Sequence, residues 1–132
     1  MTINSRNKGA TFERSIALEL ELLTGIRFAR NLEQSRAVDH CDLIPSDPDW
    51  PYSLELKAYA AGNGCKPAWR DQATRAAAKT GKIPCVVYKY NRQPVRVCLP
   101  FKALGHDLPG EWFECSLDGL AFLAREAMAV LK

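Results

Sequence analysis

Apolar positions recur at two different periods along this chain. Phe12, Ile16, Leu20 and Leu23 fall three or four apart and make one helical stripe over residues 10–23. Thr24 and Gly25 end that helix, because glycine takes the left-handed cap conformation without penalty. A short strand is predicted over residues 26–30. A polar loop or irregular hairpin follows at 31–38, and then a second strand over 41–44. Pro45, Asp47, Pro48, Asp49 and Pro51 mark a turn-rich connection. The period then switches to two over residues 52–58, with Leu54 and Leu56 on one face and Glu55 and Lys57 on the other.

The second half repeats this punctuation. Gly62, Asn63 and Gly64 give residues 60–66 loop chemistry. Pro67 opens a helix that carries Trp69, Ala73, Ala76 and Ala77 as far as Gly81. Residues 83–90 are β-branched and aromatic and read as a strand, which turns at 91–94 and pairs back over 95–99. Ser116 caps a last helix over 117–131, with Leu120, Leu123 and Ala127 facing inward. Helix, three strands, helix, two strands, helix is the order of an α/β fold, with a mixed sheet of about five strands flanked by helices.

Composition narrows the class. With 132 residues, 47% apolar and 25% charged, the chain fills one core, so residues 1–132 are read as a single domain. Nothing in it resembles the roughly 18-residue apolar run of a membrane span. The first nine residues are polar and basic with no apolar run behind them, so no secretory signal is expected. Five cysteines, widely spaced and never as C-x-x-C, and only two histidines argue for reduced thiols in a cytoplasmic protein, without structural zinc.

The net charge of +3 hides an uneven distribution. Residues 41–56 hold four acids and no base, whereas residues 57–102 hold ten bases and one acid. An acidic segment followed by a basic one suits a cation site beside a polyanion groove. Lys79, Lys82, Lys89, Arg92 and Arg96 belong to the basic segment, and basic side chains on one face can track phosphates. Tyr88 and Tyr90 flank Lys89 and are candidates to stack on unpaired bases or, for at least one of them, to pack in the core. Trp50 and Trp112 are assigned to packing or a dimer surface.

The candidate chemistry lies at the acidic end. Glu55 and Lys57 project from the same face of a strand whose other face is apolar, which is costly unless something compensates. A divalent cation between Asp42 and Glu55 would do so, with the Leu56 carbonyl as a further oxygen ligand. Mg²⁺ or Mn²⁺ suits one or two carboxylates plus water and phosphate. Lys57 would orient a nucleophilic water or neutralise developing charge, which turns a metal site into a phosphodiesterase candidate.

The residues before the first helix sharpen this. Lys8, Gly9, Phe12, Glu13 and Arg14 read Lys-Gly-x-x-Phe-Glu-Arg. With Arg30, Ser35, Asp42 and the Glu55-Leu56-Lys57 run, they follow the order of the archaeal Holliday junction resolvases and their phage-encoded relatives. The chain resembles that branch of the PD-(D/E)xK nuclease superfamily, most closely over residues 7–58. The resemblance implies a restriction-endonuclease-like core. It makes Glu13, Asp42, Glu55 and Lys57 the catalytic set, with Asp42 and Glu55 as metal ligands. It brings Arg30, Ser35 and Arg36 near the scissile phosphate, with Lys8, Arg14, Gln72 and Lys89 also on the DNA. In related nucleases a Gln at the position of Gln72 orients water or phosphate. Asp39 competes with Asp42 for the ligand role; Asp42 is preferred because Leu43 and Ile44 continue it as a strand.

The function this implies is a Mg²⁺-dependent endonuclease acting on four-way DNA junctions. Two symmetric cuts imply a homodimer, and the setting would be phage recombination or genome processing. The alternatives are a nicking or restriction-type nuclease on linear duplex and a DNA-binding module without catalysis.

Overall fold

The structure, a computed structural model, describes residues 2–32 and 41–131, with side chains from Lys8 onward. The elements are helix α1 (Thr2–Thr24), strands β1 (Phe28–Arg30), β2 (Leu43–Pro45) and β3 (Tyr52–Tyr59), helix α2 (Pro67–Ala78), strands β4 (Ile83–Tyr90), β5 (Arg96–Pro100) and β6 (Trp112–Cys115), and helix α3 (Leu117–Val130). The six strands form one mixed sheet in sequential order. All neighbours are antiparallel except β3 and β4, which run parallel from Tyr52↔Ile83 to Tyr59↔Tyr90. Parallel neighbours need a crossover, and α2 supplies it.

Sequence period and burial agree. Tyr52, Leu54 and Leu56 of β3, Cys85 and Val87 of β4, and Val97 and Leu99 of β5 pack against Phe12, Ile16 and Leu20 of α1 and Leu117, Leu120 and Ala124 of α3. On the opposite face Val86, Tyr88, Tyr90 and Cys98 pack against Trp69 and Ala73 of α2. Burying each of these large side chains contributes about 1.5–3 kcal/mol. Glu55 and Lys57 share the α2 face.

The structure departs from the sequence reading in four places. The first helix begins at Thr2, eight residues early, because a single glycine such as Gly9 costs a helix only about 1 kcal/mol relative to alanine. A sixth strand, β6, pairs with β5 through Pro100↔Trp112 and Val97↔Cys115. The inward stripe of α3 is Leu117, Leu120, Ala121 and Ala124, while Ala127 is exposed. Tyr88 and Tyr90 are buried under α2 and cannot meet bases: Tyr88 donates to Glu114 Oε1 at 2.7 Å and Tyr90 to the Gly64 carbonyl at 2.8 Å. Ser116 does cap α3, accepting the Gly119 N–H at 3.1 Å. Trp50 is fully buried, and Trp112 carries Arg70 over its ring at 5.7 Å. All five cysteines are free thiols. Among the described residues no helix is long and apolar enough to cross a membrane.

Candidate active site

The site forms where β2 and β3 part. Their ladder has one register pair, Leu43↔Leu54. Asp42 stands just before β2 and is clamped by its backbone: its N–H donates to the Leu54 carbonyl at 2.7 Å, and its carbonyl accepts from Asn31 N–H at 2.9 Å. That clamp turns the carboxylate toward β3, where Oδ2 accepts the Leu56 N–H at 2.6 Å. A strand residue directs its N–H and C=O to the same edge, so the Leu56 carbonyl faces this side as well.

Glu55 lies beside Asp42, and both are only 1% exposed. Glu55 Oε2 is 3.3 Å from Lys57 Nζ. Lys57 in turn donates to Gln72 Oε1 of α2 at 2.9 Å, which fixes the ammonium between a carboxylate and an amide. Two oxygens are left over: Asp42 Oδ1 and Glu55 Oε1 are buried with no hydrogen-bond partner among the described residues. Burial, and next the charge of Glu55, push the Asp42 carboxyl up to about 8. Burial raises Glu55 too, against the pull of Lys57. Among the described residues these two buried acids have one lysine close by, in contact with Glu55.

This donor set fits a hard divalent cation. It offers two orphaned carboxylate oxygens and a backbone carbonyl on the same edge, with the remaining positions open to water and phosphate. Among the described residues no group of three or more His, Cys, Asp or Glu side chains is placed to hold a metal ion. Glu13 is engaged elsewhere: its Oε1 takes Arg30 Nε at 2.8 Å in a partly buried ion pair. Its charge still reaches the site, adding to the upward push on Asp42 and Glu55.

The other predicted residues scatter. Lys8, Thr11, Ser15, Ala58, Lys89 and Asn91 line a groove of about 360 Å³ between the middle of α1 and the ends of β3 and β4. There Lys8 Nζ donates to Asn91 Oδ1, and Lys89 Nζ to the Tyr90 carbonyl at 3.4 Å. Arg14 is exposed on α1. Ser35, Arg36 and Asp39 lie outside the described residues. The sequence reading missed Tyr59, exposed at the end of β3. Extending the Glu55/Lys57 alternation by one step would have found it.

Comparison with known proteins gives a family and a fold. The family model described as "phage putative PDDEXK endonuclease" matches residues 4–119. Among solved structures, the 1.6 Å structure of Archaeoglobus fulgidus Hjc, a Holliday junction resolvase from an archaeal hyperthermophile, is similar, with a TM-score of 0.57 and 18% identity over 89% of this chain and 98% of that one. At that identity the likeness speaks for the fold. Among curated proteins none matches the chain by sequence.

Proposed function

The chain belongs to the phage PDDEXK endonuclease family, and from that premise we propose that it is a divalent-metal-dependent endonuclease that hydrolyses phosphodiester bonds at branched DNA, with four-way junctions as its substrate. The observation that supports the metal dependence is the pair of buried oxygens, Asp42 Oδ1 and Glu55 Oε1, that have no hydrogen-bond partner among the described residues. Asp42, Glu55 and the Leu56 carbonyl would hold the cation, Mg²⁺ or Mn²⁺. When bound, such a cation supplies Lewis acidity toward a phosphate oxygen and lowers the pKa of water it holds. Lys57, kept in place by Glu55 and Gln72, orients the attacking water and balances charge that develops on the phosphate. Glu13 adds negative potential from the side, tempered by Arg30. Lys8 and Lys89, with Arg14, Ser35 and Arg36, contact the DNA backbone.

Junction selectivity rests on the order Glu13, Arg30, Ser35, Asp42, Glu55, Lys57 along the chain and on the fold shared with a junction resolvase. Two symmetric cuts require a two-fold homodimer. The test compares wild type with Glu55→Gln on a labelled four-way junction and on a matched linear duplex, in Mg²⁺ and in chelator. Paired nicks on the junction alone, lost in chelator and in the variant, are expected. Cutting of both DNAs would retain the endonuclease and remove the selectivity. Tight binding without cutting in Mg²⁺ or Mn²⁺ would make the chain a binding module.

A further inference from the structure

Tyr59 stands two residues beyond Lys57 on the same face of β3. Its ring stacks on Trp69 of α2, with centroids 5.3 Å and planes 14° apart. Trp69 is 6% exposed, whereas Tyr59 is 44% exposed. One side of the phenol is therefore anchored while much of the rest faces solvent. Lys66 holds its ammonium 5.6 Å from the Tyr59 ring centre and 5.5 Å from that of Trp69. Tyr88 and Tyr90 tilt against Trp69 at 5.8 and 6.1 Å, so a buried aromatic cluster backs the exposed ring. The loop that brings Lys66 there is fixed as well, because Gly62 lies against the Tyr90 ring where a Cβ would come within 2.3 Å.

Position gives this surface a role. Lys57–Gln72 and Tyr59–Trp69 are successive contacts of one strand with one helix. At ~3.3 Å per residue, Tyr59 stands ~6.6 Å along the strand from Lys57, or roughly two stacked base steps of ~3.4 Å. A base inside an intact duplex has both faces covered, whereas an unpaired base at a branch or gap has a face to offer an aromatic ring. We propose that Tyr59, braced by Trp69 and flanked by Lys66, stacks an unpaired nucleobase beside the bond that is cut, and so selects DNA whose pairing is disrupted there. Lys66 meets the phosphate of the same nucleotide. The proposal rests on the endonuclease reading, with Glu55 and Lys57 at the reacting phosphate.

The test uses the full chain and gapped, branched DNA carrying 2-aminopurine at each unpaired position in turn, with the same sequence fully paired as its counterpart. Binding is measured in chelator and cutting in Mg²⁺. Wild type is expected to quench the fluorescence at one position next to the cut. Tyr59→Leu is expected to lose that quench and to lower the preference for gapped over paired DNA by about 5- to 100-fold, while Tyr59→Phe keeps both. No quench at any position by wild type overturns the proposal, as does an equal loss of affinity for both DNAs in Tyr59→Leu. The wild-type quench needs no variant, so poor folding of Tyr59→Leu cannot hide the answer. Cutting without quench removes the stacking site and leaves the endonuclease. Quench without cutting in any divalent metal overturns the endonuclease reading while the stacking site stands.

Discussion

Replacing Asp42 by Asn should make the metal-free protein more stable at pH 8. Burial and the neighbouring Glu55 raise the Asp42 carboxyl from its ordinary 3.8 to about 8. A carboxyl whose pKa is raised by folding binds more protons in the folded state than in the unfolded one, so stability falls as pH rises through that window. The contribution is fully present below about pH 4 and is lost by about pH 8. At about 1.36 kcal/mol per pH unit, flattening near the folded pKa, the loss between pH 5 and pH 8 is about 3–4 kcal/mol. The charge of Glu55 already enters the Asp42 shift, so the shift of Glu55 itself is not added. For a chain of this length that is on the order of 10 °C in melting temperature.

The assay is thermal unfolding of wild type and Asp42→Asn from pH 5 to pH 8.5, in chelator and in Mg²⁺. Comparing the two proteins at each pH cancels the other titrating groups. In chelator the variant should melt higher, and its lead over wild type should grow by roughly 10 °C between pH 5 and pH 8. Added Mg²⁺ should raise wild type alone, by about 2.7 kcal/mol at a hundred times its dissociation constant. A variant that melts no higher than wild type at pH 8 in chelator, or a wild type with no slope, would refute the claim that these carboxylates are short of a cation.

Three further outcomes are expected. Lys57→Met should slow cutting by about 10²–10³-fold while gel-shift affinity for DNA in chelator falls far less; an equal loss of both would make Lys57 a binding residue only. Gly62→Ala puts a Cβ 2.3 Å from the Tyr90 ring and should lower stability by about 1–3 kcal/mol in denaturant melts, with unchanged stability counting against the packed loop. Gly9→Ala, in a helix where a new Cβ meets nothing within 4 Å, should gain about 0.5–1 kcal/mol in the same melts.

Legibility in the sequence followed the physics of each element. The alternation around Glu55 and Lys57 was plain because β3 buries one continuous apolar face. Pro67 and Ser116 marked helix starts through backbone chemistry that is local by nature. β6 was hidden because its four residues, Trp112 to Cys115, show no pattern of their own and are held by pairing with β5. Of the site, the residue types and spacing were readable, and their mutual engagements were not. Glu13 and Arg30 lie 17 residues apart on different elements, and nothing local announces that each takes up the other's charge. Tyr59 escaped notice because the predicted strand stopped at residue 58, one position short of it.

The break in the ladder explains why the site offers one oxygen from each carboxylate. Continuing the register beyond Leu43↔Leu54 would set Cys41 opposite Leu56. Instead the Cys41 carbonyl accepts from Asn31 Nδ2 at 2.9 Å, and the Leu56 N–H turns to Asp42 Oδ2. A side chain thus takes the place of a backbone acceptor, and its other oxygen, Oδ1, is left over in the buried site. Glu55 is locked in the same manner, with Oε2 toward Lys57 and Oε1 left over. Neither carboxylate can then serve as a bidentate ligand without giving up the bond that orients it. Ca²⁺ takes six to eight oxygens, often with bidentate carboxylates, whereas Mg²⁺ is content with one or two carboxylates and completes its octahedron with water and phosphate. If these residues take a divalent cation as proposed, the bonds that fix Asp42 and Glu55 would favour Mg²⁺ over Ca²⁺, and wild type should gain more melting temperature from Mg²⁺ than from the same concentration of Ca²⁺.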